Sequence, residues 1–251
     1  PLAKLTKTPG VPGAACRKDQ ELISRWLSQP RPATNSPGFD KPPLEGIKVV
    51  EIATIIAAPL GSSFLADMGA EVIKIEPVGG DPFRGLLMGL GAARVNGGKR
   101  SIGLNLKSDQ GKEIVLDLIK SADVLIHNFR PGVPERLGIG YAEVSNLNPN
   151  IIYLQSNGYG PDGPGAQRPS THPIPGAAMG GVSYQMGEKL PSELQDIESL
   201  RLWTKRIMRA NDVNPDPNTA MVVCTSVMLG LMARKTTGEG QQIFMDMFGA
   251  N

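Results

Sequence analysis

The stretch Gly46–Pro77, GIKVVEIATIIAAPLGSSFLADMGAEVIKIEP, constrains the fold more than any other part of the chain. An apolar run, Ile47–Ile52, is followed by a small-residue turn around Ala57-Ala58-Pro59 and a helix-length segment to Met68. A glycine stop at Gly69 and a second apolar run, Val72–Ile75, complete it. Continuous β-branched runs suit strands buried on both faces, and the intervening segment suits a crossover helix, so the spacing predicts a β-α-β unit in a parallel sheet. Ligands of such a sheet gather at the carboxyl ends of its strands. A dinucleotide fingerprint would place three glycines in the first turn, whereas this turn holds Ala57, Ala58, Pro59 and Gly61, which argues against a nicotinamide enzyme.

The alternation continues downstream. Gly79–Gly98 is a glycine-rich excursion before an apolar run at Ser101–Leu106. Ser108 then stands at a helix cap position, Asp109 falls in the first turn, and Ile114, Val115, Leu118 and Ile119 form one apolar face. Asp123–Asn128 reads as the next strand, ending at the turn Phe129-Arg130-Pro131-Gly132. Short helices are expected around Val133–Leu137 and Tyr141–Leu147, before a strand at Ile151–Gln155. Asn157–Gly181 is too dense in glycine and proline for regular structure, and a long loop of that kind is usually functional. Gly187–Arg209 is polar with partial helical character. Pro217–Arg234 predicts a helix, followed by the turn Thr237-Gly238-Glu239-Gly240 and a closing strand at Gln242–Met247.

The N-terminal part has a different character. Pro1–Pro12 is rich in proline and lysine, Asp19–Leu27 has helical spacing (Leu22, Ile23, Trp26, Leu27), and the proline-rich Gln29–Pro43 reads as a linker. A total of 251 residues allows one large or two small domains. With 40% hydrophobic and 20% charged residues and a net charge of +2, composition gives no reason to expect nucleic acid or a membrane surface as partner. Apolar runs are shorter than a membrane span and no signal-peptide layout is present, so the cytoplasm is the expected compartment. Cys16 and Cys224 lie far apart without metal-type spacing, so neither a disulfide framework nor a metal site is expected, and Cys224 reads as a core thiol.

Several blocks, taken in order, carry a family likeness: PLEGIKVVEIA, LADMGAEVIKIEP, GDPFR, NGGKRSIGLNLKS, GKEIVLDLIKSADVLIHNFRPGVPERLGIGY, NPNIIYLQSNGYG and KTTGEGQ. From about Leu44 to Asp246 the chain resembles the family III CoA-transferases, which group formyl-CoA and carnitine CoA-transferases with α-methylacyl-CoA racemase. The resemblance implies an α/β, Rossmann-like large domain over 44–251 with its small domain absent from this chain, and an interlocked homodimer or a partner module of the same family. It also implies that residues 1–28 close a preceding module and that 29–43 tether it to the next; an unrelated leader is the alternative.

What the resemblance implies for function is transfer of coenzyme A between an acyl-CoA and a small carboxylic acid, with CoA as substrate and no tightly bound cofactor. Lys107, Arg136 and Arg168 match basic positions that contact the nucleotide end, and Leu104, Asn128 and Phe129 match the adenine slot and its polar edge. Taken singly, Lys107 and Arg136 also read as solvated charges, Leu104 as core and Phe129 as a plug for the turn. Where some relatives carry a basic residue after the KIE triplet, this chain has Pro77.

Counting back without a gap from the TTGEGQ turn, the match places the nucleophilic aspartate at Asp216. The same residue, before Pro217, also reads as a simple helix cap. His172 falls near the position of the racemases' catalytic histidine but is followed by Pro173 instead of aspartate, and His127 reads as a hydrogen-bonded structural histidine. Two alternatives therefore stay open: a 2-methylacyl-CoA racemase using His172 and Asp216, and a non-catalytic CoA-binding half of a larger enzyme.

Overall fold

A computed structural model describes residues 3–9, 41–171, 173–189, 191–193, 196–210 and 215–251. Seven strands form one sheet: β1 (Lys4–Leu5), β2 (Lys48–Ile52), β3 (Glu71–Glu76), β4 (Lys99–Gly103), β5 (Val124–His127), β6 (Ile152–Asn157) and β7 (Gln241–Asp246), in the order β1-β7-β6-β5-β2-β3-β4. Strands β2 to β7 are parallel to one another, as the β-α-β pattern predicts. The expectation of a wholly parallel sheet is corrected at one edge, where β1 runs antiparallel to β7 with Leu5 opposite Ile243. The short N-terminal stretch needs no crossover to reach that edge, and Thr6 and Lys7 hold it there through Gln242 and Glu239.

Ten α-helices are described: α1 (Ala57–Asp67), α2 (Leu90–Val95), α3 (Asp109–Lys120), α4 (Val133–Leu137), α5 (Tyr141–Leu147), α6 (Pro173–Ala178), α7 (Gly181–Met186), α8 (Ile197–Ala210), α9 (Pro215–Thr237) and α10 (Met247–Ala250). Two apolar layers result from strict alternation along the strands. Ile152, Val124, Val49 and Val72 stand side by side across four strands and pack with Leu65 of α1 and Val223 and Val227 of α9. Leu125, Val50 and Tyr153 face the other way, onto Val115 and Ile119 of α3 and Val144 of α5. Each fully buried Leu, Ile or Val contributes about 1.5–3 kcal/mol, taken as an upper range.

Local chemistry accounts for the helix ends. Ser108 caps α3, its hydroxyl accepting from Gly111 N–H at 3.2 Å, as its position predicts. Gly69 leaves α1 at φ +96°, a left-handed conformation, and a side chain there would meet Pro42 at 2.3 Å. Gly61 lets α1 lie directly on α9.

Four expectations change. The Gly79–Gly98 excursion contains two short 3₁₀ turns, Pro82–Gly85 and Leu87–Gly89, and helix α2. Strand β4 lies at Lys99–Gly103, earlier than the Ser101–Leu106 run, because Ile75 pairs with Ile102 and the later apolar residues leave the sheet to form a cleft wall. The Asn157–Gly181 region contains α6, where Pro173 falls at the helix start that proline tolerates. Helix α9 begins at Pro215, so Asp216 lies within its first turn instead of capping it. The Asp19–Leu27 helix, residues 29–40 of the linker, Cys16 and His172 lie outside the described residues. Cys224 is buried against the α1 side of the core, and burial raises its thiol pKa.

Candidate active site

Counting from β2, the parallel strands follow the order 3-2-1-4-5-6, the doubly wound arrangement, in which β2 and β5 are neighbours whose following connections pass to opposite faces. The crevice outside their carboxyl ends is where ligands bind in such sheets. Two concavities meet there. The larger, of about 600 Å³, is mostly apolar, with Ile52, Ile75, Leu104, Phe129, Val133 and Leu137 in its wall and Lys107 and Thr54 at polar points. The smaller, of about 80 Å³, is lined by Ala57 and Ala58 at the start of α1 together with Asn128, Arg130, Ser156 and Arg168.

Asn128 ties the two together. Its Oδ1 accepts from Thr54 N–H at 3.1 Å and its Nδ2 donates to Thr54 C=O at 2.9 Å, joining the ends of β2 and β5. Next to it, Phe129 N–H donates to His127 Nδ1 at 3.3 Å, and Gln155 Nε2 donates to Phe129 C=O at 3.3 Å, which fixes the turn that presents Phe129 to the cleft. His127 is fully buried against Phe129 and Tyr153. Burial pushes its pKa down to about 3, so it is neutral at physiological pH. With Nδ1 accepting, the proton sits on Nε2, which has no hydrogen-bond partner among the described residues. The hydrogen bond expected of it is present at Nδ1 alone.

The sequence-derived candidates divide between these places. Leu104, Lys107 and Phe129 line the apolar cleft, and Asn128 and Arg168 line the smaller depression. Arg136 is exposed on α4, the helix whose Val133 and Leu137 form part of the cleft wall. Asp216 is 3% exposed in the first turn of α9. The start of that helix is pinned by Asn251, whose Nδ2 donates to Pro215 C=O at 3.2 Å, Thr219 Oγ1 at 3.3 Å and Met247 C=O at 2.8 Å. Met247 is itself a wall of the small depression, so Asn251 links that wall to the turn carrying Asp216.

Two features went unnoticed in the sequence. Arg130 lines the depression, its Nη1 donating to Gln167 C=O at 3.4 Å; its place directly after Asn128-Phe129 was the available signal. The amino end of α1 is the other, since Ile56 supplies no side-chain cap and no acidic residue lies in the first turn. A helix start of that kind presents backbone N–H groups and a partial positive charge. Among the described residues no cluster of His, Cys, Asp and Glu is arranged to hold a metal ion, and no helix is long and apolar enough to cross a membrane.

A doubly wound α/β chain with an apolar cleft and a basic, backbone-rich depression at its switch point is of the kind that binds nucleotide-bearing ligands. Residues 44–251 match the model of CoA-transferase family III, and the chain belongs to that family. It is 37% identical over 220 residues to an acyl-CoA transferase of Fusarium pseudograminearum, covering 82% of this chain and 45% of that protein. To the succinyl-CoA–L-malate CoA-transferase beta subunit of Chloroflexus aurantiacus it is 36% identical over 210 residues, covering 80% and 48%. The crystal structure of Rv3272 from M. tuberculosis superposes with a TM-score of 0.70 at 30% identity, covering 83% of this chain and 54% of that one. The chain thus spans about half the length of the relatives it matches.

Proposed function

We propose that this protein transfers coenzyme A from an acyl-CoA to a carboxylic acid. The observation that carries the reading is the cleft at the β2/β5 switch point, whose apolar wall suits an adenine ring and whose mouth holds Lys107. The nucleotide end lies in that cleft with Leu104 and Phe129 against the base, and Lys107, Arg136 and Arg168 contribute positive charge toward the phosphates. The thioester end lies toward the start of α1.

Asp216 is the nucleophile in this reading. Its carboxylate attacks the thioester carbonyl, forming a mixed anhydride and releasing CoA thiolate. The thiolate then attacks the Asp216 carbonyl, giving an aspartyl-CoA thioester and the free donor acid. The acceptor carboxylate displaces the thiolate in turn, and the thiolate attacks the acceptor's acyl carbon to release the new acyl-CoA and regenerate Asp216. A helix amino end stabilises the ionised carboxylate between turnovers. CoA is a substrate here, with no tightly bound cofactor, and the working unit is a homodimer or a pairing with a related module, as the alpha and beta subunits named for the Chloroflexus relatives suggest. The cytoplasm, where acyl-CoA is at hand, is the proposed compartment.

Incubating the full-length protein with an acyl-CoA and a panel of carboxylic acids, and following new CoA esters by mass spectrometry, tests this reading. Appearance of an ester of one added acid is the expected result, and absence of exchange with every acid would overturn it.

A further inference from the structure

Beneath Ala53–Pro59, the loop Ala53–Ile56 with the first turn of α1, lies a cluster of four charged side chains shut off from solvent. Lys74 Nζ is 2.7 Å from Glu51 Oε1 and 3.0 Å from Asp81 Oδ2, and Lys99 Nζ is 2.6 Å from Glu51 Oε2, with every side chain no more than 1% exposed. Two positive and two negative groups balance. Burial draws Lys99 down to about 8 against the opposing pull of Glu51. Such a cluster is a poor source of stability, since apolar residues of equal volume are often as good or better. Its presence is explained by what else it holds.

Ser62 of α1 donates to Glu51 Oε2, and most of the remaining hydrogen bonds run to the backbone of Ala53–Pro59. Lys74 donates to Ala53 C=O at 2.6 Å and Lys99 to Pro59 C=O at 2.6 Å. Both oxygens of Asp81 accept from Ile55 N–H at 3.2 Å, and Oδ1 also accepts from Phe83 N–H at 2.9 Å. Ile55 has φ +72°, a left-handed conformation that a β-branched residue avoids unless its surroundings impose it. Asp81 is fixed in turn by Glu76, which accepts from Asp81 N–H at 2.8 Å and from Arg84 Nε at 2.8 Å. Above this clamp, Thr54 faces the large cleft and Ala57 and Ala58 face the small depression.

We propose that Glu51, Lys74, Asp81 and Lys99 are positioning residues: they hold the strained connection Ala53–Ile56 and the first turn of α1 in place so that the large apolar cleft and the small basic depression keep a fixed separation. The inference rests on the CoA reading of the site. A CoA ester binds in both concavities at once, so a loop free to relax disturbs the fit of the whole ligand while leaving the acceptor acid little affected.

The test uses the full-length protein and two variants. Asp81→Asn keeps an acceptor for Ile55 but removes the charge that pairs with Lys74; Ile55→Gly leaves every charge in place and removes the side chain that makes the left-handed conformation costly. Calorimetric titration with CoA and steady-state kinetics are the readouts. Asp81→Asn is expected to raise the Kd for CoA and the KM for acyl-CoA about tenfold with the KM for the acceptor acid unchanged, whereas Ile55→Gly, which adopts the left-handed conformation without strain, is expected to stay near the parent in all three. A purely structural role would lower the active fraction, and so kcat, without moving either KM. If Asp81→Asn fails to fold for want of a charge opposite Lys74, the charge-balanced combination Asp81→Asn with Lys74→Met takes its place, with the same rise expected. Parent-like Kd and KM in folded Asp81→Asn, or in the combination that replaces it, overturn the positioning role while leaving the CoA site intact. Failure of the parent itself to bind CoA removes the site and both readings with it.

Discussion

Asn128 and Thr54 exchange two hydrogen bonds across the β2/β5 switch point, at 3.1 and 2.9 Å. A backbone ladder cannot continue here, because the two strands diverge to feed helices on opposite faces. A primary amide replaces it, since one side chain must offer both an acceptor and a donor. Asparagine has the right length, and the reciprocal pairing fixes which end of the amide is oxygen. The ends of β2 and β5 therefore move as one piece, with Thr54 turned to the apolar cleft and Asn128 to the basic depression.

Asn128→Asp preserves size and the bond from Thr54 N–H but sets a carboxylate oxygen against Thr54 C=O. The expected loss of stability is about 1–3 kcal/mol at neutral pH, read by urea unfolding. CoA affinity should weaken with it. Parent-like stability in this variant would show that the pair contributes nothing to the switch point.

Gly61→Ala tests the close approach of α1 to α9. A Cβ at Gly61 would stand 2.6 Å from Val223 Cγ1 and 2.8 Å from Ala220 C=O, and the second neighbour is backbone. Overpacking of this kind is expected to cost about 1–3 kcal/mol, visible as a lower urea midpoint with an unchanged m-value. An unchanged midpoint would mean that the helices separate at no cost.

Much of this architecture was legible in the residues, for identifiable reasons. Strands β2, β3 and β5 are short, continuous and β-branched because both their faces are buried, and so they stand out. Helix α3 announced itself through Ser108 and its apolar stripe. Strand β1 did not: Lys4-Leu5 is two residues long, and only its pairing with Phe244 and Ile243 makes it a strand. Helix α6 was obscured by proline, while the polar stretch Gly187–Arg209 showed its helical character without the bounds of α8. Among the residues lining the large cleft, Leu104, Lys107 and Phe129 are legible through the family blocks. Arg130 is not, because a charged residue in a turn reads as a solvated position, nor is the buried Lys74–Glu51 pair, because charged residues inside apolar strand patterns look solvated until the tertiary fold closes over them.

His127 sets a pH dependence. Its folded pKa of about 3 lies below the ordinary 6.5, because burial disfavours the charged ring. Between those values the unfolded chain binds the proton first, so stability falls as pH falls from about 6.5 toward 3 and is untouched above. By pH 5 the expected loss is about 2 kcal/mol from this group alone. His127→Phe should flatten that part of the stability-versus-pH curve, and an equally steep curve in the variant would assign the acid sensitivity elsewhere.

Lys107 and Arg136 are exposed, so their contribution to CoA binding should be screened by salt. Arg168 is exposed as well, and replacing any one of the three by Ala is expected to weaken CoA binding by about 1 kcal/mol at low ionic strength. Titrations at low and high salt should show the parent losing affinity more steeply than each variant. Equal affinities at low salt for all three variants would place the phosphates elsewhere.

Asp216 poses the sharpest choice, between a nucleophile and a group that merely helps a helix begin. The aspartate is 3% exposed in the first turn of α9, and the turn is anchored through Pro215 and Thr219 to Asn251, which also bonds Met247 in the wall of the small depression. Asn at this position matches Asp in size and retains an acceptor oxygen. Loss of the favourable charge–dipole interaction should cost only about 0.3–1 kcal/mol. Loss of the nucleophile, by contrast, should lower the rate of CoA transfer by about a thousandfold or more. In the full-length protein the two consequences separate cleanly. Asp216→Asn should melt near the parent, bind CoA near the parent affinity, and fail to transfer. Parent enzyme incubated with acyl-CoA should also lose activity to hydroxylamine, which captures an activated aspartyl carbonyl, whereas without acyl-CoA it should not. A folded Asp216→Asn variant that transfers CoA at the parent rate would leave Asp216 as part of a helix start and nothing more.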